Sequence, residues 1–128
     1  MKRRPFYECK IYIGSVSYKT NETFTQDEVE MFCGEAQEAY DYTIPVRITP
    51  TTFVSETNYQ EKGWEIAAID YPKLQYNQRQ IRGWMRHLAE SLIIKFNQHT
   101  VCIVDKENII MLENDNAFPN LSDFSNEV

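Results

Sequence analysis

The chain has 128 residues, 42% of them hydrophobic and 13% aromatic, which suffices for one domain whose core needs no disulfide or metal. A net charge of −6 argues against a generic nucleic-acid binder, and charges interrupt every apolar run before it reaches membrane-spanning length. Cys9, Cys33 and Cys102 lack metal-ligand spacing and lie in apolar-patterned stretches, so buried thiols in a reducing, cytoplasmic compartment are expected.

Met1-Lys2-Arg3-Arg4 has the positive start of a signal peptide, but no apolar stretch follows it. Residues 7–13 alternate, with Tyr7, Cys9, Ile11 and Ile13 on one side and Glu8, Lys10 and Tyr12 on the other, which predicts a strand ended by Gly14. Residues 15–24 form a polar connection. Thr25-Gln26-Asp27-Glu28 is a capping box, in which hydroxyl and carboxylate each satisfy an orphan backbone N–H. Val29, Phe32, Cys33, Ala36 and Tyr40 mark the helix behind it. Residues 44–54 predict a second strand, but Pro45 and Pro50 cannot donate to a ladder and confine it to a sheet edge or a bulged position.

Residues 55–63 are polar and predict a hairpin loop, followed by a third strand over 64–71 that Pro72 stops. The strongest signal comes next. Ile81, Trp84, Met85, Leu88, Ala89, Leu92, Ile93 and Phe96 recur at helical spacing between an N-cap at Asn77 and an end at Asn97. Residues 100–104 are a β-branched strand, and Lys106-Glu107-Asn108 turns the chain into a small extra strand over 109–112. The order β-α-β-β-α-β predicts an α+β, ferredoxin-like sandwich over residues 1–113, with both helices on one face of an antiparallel sheet. An acidic, Asn- and Ser-rich tail over 114–128 carries Phe118, Leu121 and Phe124, three apolar residues that a purely solvating end does not need.

Several stretches resemble a group of small bacteriophage and prophage proteins. They are Ile11-Tyr12-Ile13-Gly14-Ser15, Thr49-Pro50-Thr51-Thr52-Phe53, Glu61-Lys62-Gly63-Trp64-Glu65-Ile66-Ala67-Ala68-Ile69-Asp70-Tyr71-Pro72 and Phe96-Asn97-Gln98-His99-Thr100-Val101. The resemblance spans about residues 7 to 113 and implies a phage accessory protein of ferredoxin-like fold, with no activity attached to it. Locally, Ile11-Tyr12-Ile13-Gly14-Ser15-Val16 and Lys62-Gly63-Trp64 also resemble the first- and third-strand motifs of RNA-recognition domains. That likeness requires Tyr12 and Trp64 side by side on the open sheet face, stacking on bases or pairing with a second copy.

No catalytic motif is found: no serine elbow, no cysteine with a basic partner and no phosphate-cradling glycine loop. Neither His87 nor His99 has metal-ligand spacing, and no cofactor is expected. Seven acids and no base lie between Lys19 and Arg47. Asp27, Glu30, Glu38 and Asp41 crowd the first helix, where like charges repel, and suggest a face that docks a basic partner. Arg79, Arg82 and Arg86 line one side of the second helix, either answering that acidic face or binding an anion, with Glu90 one turn beyond Arg86 as its ion-pair partner.

The function expected from these readings is non-catalytic. The protein would be a phage-type accessory protein or inhibitor that docks on a host protein, itself basic or nucleic-acid-binding, and self-associates as a homodimer. The alternatives are a single-stranded RNA binder using Tyr12 and Trp64, a protein that sequesters a small anionic or nucleotide ligand with the arginines, and a small enzyme.

Overall fold

Alternation in the first strand decides what the sheet shows to each side. In a computed structural model that describes Met1 and residues 3–114, β1 (Glu8–Gly14) buries Cys9, Ile11 and Ile13 and leaves Glu8, Lys10 and Tyr12 half-buried on the other face. A capping box at Thr25 starts α1 (Gln26–Glu38), which buries Val29 and Cys33. An antiparallel hairpin follows, β2 (Arg47–Glu56) and β3 (Tyr59–Ile69). Then come α2 (Gln78–Lys95), β4 (Thr100–Val104) and β5 (Ile109–Glu113).

All strand pairs are antiparallel, in the order β2-β3-β1-β4-β5. This is the predicted ferredoxin-like arrangement with one strand added beyond β4. Pro50 sits in edge strand β2, where its missing N–H costs the ladder nothing on the solvent side.

The long helix is capped as its sequence predicts. The Asn77 side chain accepts from the Gln80 N–H at 2.9 Å, and the Gln80 side chain accepts from the Asn77 N–H at the same distance. At the other end Asn97 adopts φ 45°, a left-handed conformation that Asn tolerates. Between the caps Ile81, Trp84, Met85, Leu88, Ala89, Leu92 and Ile93 are buried, and they form one core with Ile11, Ile13, Ile66, Val101 and Ile103. Phe24 stacks on Phe96 at 4.1 Å and leans on Trp64 at 5.3 Å, closing the core where the residue 15–24 connection passes over it.

Several boundaries differ from the sequence reading. The second strand begins at Arg47 and not at residue 44, so Pro45 precedes it, and the third ends at Ile69. The predicted loop over 55–63 is mostly strand: the ladder runs to Glu56 and Tyr59, with an irregularity between Val54 and Glu56. Both faces of this extension are exposed, so no apolar alternation marks it. Likewise α1 ends at Glu38, and Tyr40 packs beyond it against Trp84 at 4.9 Å rather than on a helical stripe. Expectations for the tail, including Phe118, Leu121 and Phe124, lie outside the described residues.

Two glycines bracket the role of close approach. A Cβ on Gly63 would stand 2.0 Å from the Ile13 carbonyl oxygen, so β1 and β3 meet there only because that side chain is missing. Gly34, inside α1, has open space around its missing Cβ. In chemical denaturation Gly34→Ala should therefore raise stability by about 0.5–1 kcal/mol, whereas Gly63→Ala should lower it. Leu88→Ala should cost about 2–5 kcal/mol. A neutral Leu88→Ala would contradict the packing of α2.

Candidate functional site on the open sheet face

Residues directly opposite in an antiparallel pair share a face, so the register assigns each side chain of the uncovered surface. Tyr12 pairs with Glu65 and with Cys102, and Thr49 lies beyond Glu65. The half of this face around Lys10 is electrostatically closed. Lys10 reaches Glu8 at 3.3 Å and Glu65 at 3.4 Å, and Arg47 clamps Glu8 from the edge strand at 2.5 Å. Burial works to raise the Glu8 carboxyl, but its bonds to Arg47 and Lys10 outweigh this and hold it below the ordinary range.

The other half is concave. A cavity of about 530 Å³ lies between the open face and the residue 15–21 connection. Tyr12 meets Phe53 edge-on at 6.1 Å on one wall, and Tyr18 stacks on His99 at 4.6 Å on another. Cys102 lies between them on the sheet; burial raises its thiol, so it is a neutral wall and not a thiolate nucleophile. Glu61 supplies a carboxylate over Gly14, where a Cβ would stand 2.2 Å from Glu61 Oε1. Burial, then the neighbouring Glu65 charge, raises the Tyr12 phenol, which stays protonated and able to donate.

The rim is built by the turn after α2. Gln98 is buried; its Oε1 accepts from the Gly14 N–H at 3.0 Å and its Nε2 donates to the Val16 carbonyl at 3.3 Å. Asn97 exchanges bonds with Tyr18, donating from its side chain and accepting at its carbonyl, both at 2.7 Å. Lys19 and Asn21, at φ 69° and 58°, hold the connection in left-handed geometry, which is unfavourable for lysine. The polar connection is thus a fixed wall.

Of the residues singled out from sequence, Tyr12 belongs to this site and Trp64 does not. Trp64 pairs with Ile13, points into the helix layer at 7% exposure and donates its Nε1–H to Gln26 Oε1 at 3.2 Å. The Tyr12–Trp64 stacking platform is therefore corrected: the neighbours of Tyr12 are Glu65 and Phe53, and RNA stacking on that pair falls with it. Asp27, Glu30, Glu38 and Asp41 are exposed on and just beyond α1, outside the cavity.

Arg79, Arg82 and Arg86 lie on α2, across the sheet from the cavity. Arg86 pairs with Glu90 at 2.8 Å as expected, but Arg82 reaches Asp105 at 3.9 Å and Glu107 at 3.7 Å and does not answer the acidic helix. Phe53, Glu61, Tyr18 and His99 are not among the site residues that the sequence predicts. They converge from a hairpin extension, a connection and a turn, and only the register brings them together. Among the described residues no group of three His, Cys, Asp or Glu is gathered to hold a metal, and no helix is long and apolar enough to cross a membrane.

No protein-family model and no curated protein sequence matches the chain. Solved structures do. The chain resembles a phage SAM lyase in its apo state with a TM-score of 0.73 at 15% identity, over 90% of this chain and 96% of that one. It also resembles a phage SAM lyase in complex with S-methyl-5′-thioadenosine, with a TM-score of 0.65 at 14% identity and the same coverage. The fold is therefore one that carries an enzyme. Both the expected absence of catalysis and the expected role as a docking protein or inhibitor are corrected by this likeness.

The Glu8 network makes a pH prediction. Its folded carboxyl titrates below the ordinary 4.5, so its contribution is present above that value and is lost as pH falls through the depressed one. The wild-type melting temperature should drop between about pH 5 and pH 3, and Glu8→Gln should flatten part of that drop. Identical slopes in thermal scans of the two proteins would mean that the network contributes nothing.

Proposed function

We propose that the chain is a phage enzyme of SAM-lyase type, which takes S-adenosylmethionine on the open sheet face and releases S-methyl-5′-thioadenosine. The observation that carries this reading is the likeness over 90% of the chain to a phage SAM lyase. The cavity supports it: about 530 Å³ lies within the roughly 300–1,000 Å³ typical of small-molecule sites. A sulfonium has no hydrogen to donate, so a protein recognises it by aromatic faces and by carboxylate charge. Tyr12, Phe53 and Glu61 offer that combination, and the Tyr18–His99 pair offers a flat surface for the purine.

The bond that breaks joins sulfur to the four-carbon amino-acid chain. Sulfur keeps the electron pair and departs as a neutral thioether, so the leaving group needs no acid. The carbon it leaves is satisfied either by closure of the substrate's own carboxylate onto it or by loss of a neighbouring proton to form a double bond. Either route gains from a site that folds the chain and excludes water. The identity of the four-carbon product distinguishes the routes.

Incubation of the full chain with S-adenosylmethionine, followed by chromatography and mass spectrometry, should yield S-methyl-5′-thioadenosine. Glu61→Gln should lower kcat/KM by about tenfold or more, some 1.4 kcal/mol of transition-state stabilisation, with the melting temperature unchanged. Tyr12→Ala should raise KM. Absence of product together with absence of binding in calorimetry would overturn the reading.

A further inference from the structure

The fold leaves one carboxylate unexplained. Glu113, the last residue of β5, is 5% exposed, and neither of its carboxylate oxygens has a hydrogen-bond partner among the described residues. An ionised carboxylate buried in this way is costly unless a cation meets it. Its position is firmly set. Glu113 pairs with Thr100, which lines the cavity, and the pairing puts both side chains on the open face. The next residue locks the register: the Asn114 N–H donates to the His99 carbonyl at 3.1 Å, and its side chain donates to the Gln98 carbonyl at 2.9 Å. The same turn therefore holds both the cavity rim and the strand that carries Glu113.

We propose that Glu113 is a binding residue at the cavity margin that receives the α-ammonium of the substrate's amino-acid chain. This rests on the reading of the site as one for S-adenosylmethionine, whose two cationic centres are the sulfonium and that ammonium. It divides the work: Glu61 and the aromatic walls face the sulfonium and nucleoside, and Glu113 anchors the end that is cut away. The product S-methyl-5′-thioadenosine lacks the ammonium and so gains nothing from Glu113, which favours its release.

The test is steady-state kinetics on the full chain with Glu113→Gln, an isostere without the charge. The KM for S-adenosylmethionine should rise by about tenfold or more, while the inhibition constant of S-methyl-5′-thioadenosine stays within about twofold. Wild-type protein should also discriminate by about tenfold or more in kcat/KM against the substrate analogue that lacks the amino group, and Glu113→Gln should lose that discrimination. Equal weakening of substrate and product, or an unchanged KM, would overturn the assignment. If the variant fails to fold, wild type using the des-amino analogue as well as the substrate overturns it on its own. Wild type that neither turns over nor binds S-adenosylmethionine would instead overturn the functional reading itself, and the assignment with it.

Discussion

The antiparallel contact between β1 and β3 at Gly14 and Gly63 is the constraint on which the rest of the structure depends. The strands approach so closely there that a Cβ on Gly63 would collide with the Ile13 carbonyl. A side chain at that point would push the ladder apart or shift its register, and a one-residue shift sends every side chain of a strand to the opposite face. With the register held, Ile11, Ile13, Trp64 and Ile66 enter the helix layer. Tyr12, Glu61 and Glu65 are left on the other side. Core and cavity are two consequences of one pairing.

The helix layer then makes the open face rigid enough to serve as a site. The caps of α2 set where its chain stops, and the left-handed Asn97 turns it back across the end of the sheet. From that turn Gln98 reaches Gly14 and Val16, and Asn97 reaches Tyr18. The aromatic stack of Phe24 on Phe96 anchors the same connection from the core side. One loop is thereby held from both layers, through part-buried hydrogen bonds that converge on the buried Gln98 and the neighbouring Asn97. Rigid aromatic walls are what recognition of an unsolvated cation requires, because cation–π and charge attraction weaken once water enters.

Charge is distributed accordingly. Around Lys10 the open face is neutralised within itself by Glu8, Arg47 and Glu65, and on the helix side Asp105 holds Tyr7 and approaches Arg82. Glu61 and Glu113 enter no ion pair among the described residues. Glu61 lines the cavity, while the acidic residues of α1 face solvent elsewhere.

Sequence by itself determined the fold, because its signals are local. The period of Ile81 to Phe96, the capping box at Thr25, the N-cap at Asn77, Pro50 in β2 and the alternation of β1 each act within a few residues of chain. They sufficed for the ferredoxin-like order and for most of the core. Sequence also identified Tyr12 as a residue of the open face. It failed where neighbours are not local: Trp64 was assigned to the wrong face because parity within β3 says nothing about which residue lies opposite. Phe53, Glu61 and His99 lie in stretches that mark the phage-protein resemblance, but nothing local gives them or Tyr18 a shared role, since their spacing in the chain bears no relation to their spacing in the cavity. Tertiary structure alone decided that they converge, and that Glu113 is buried without a partner. The physical reason is that register is a property of two strands, and a site on a sheet face is assembled across several.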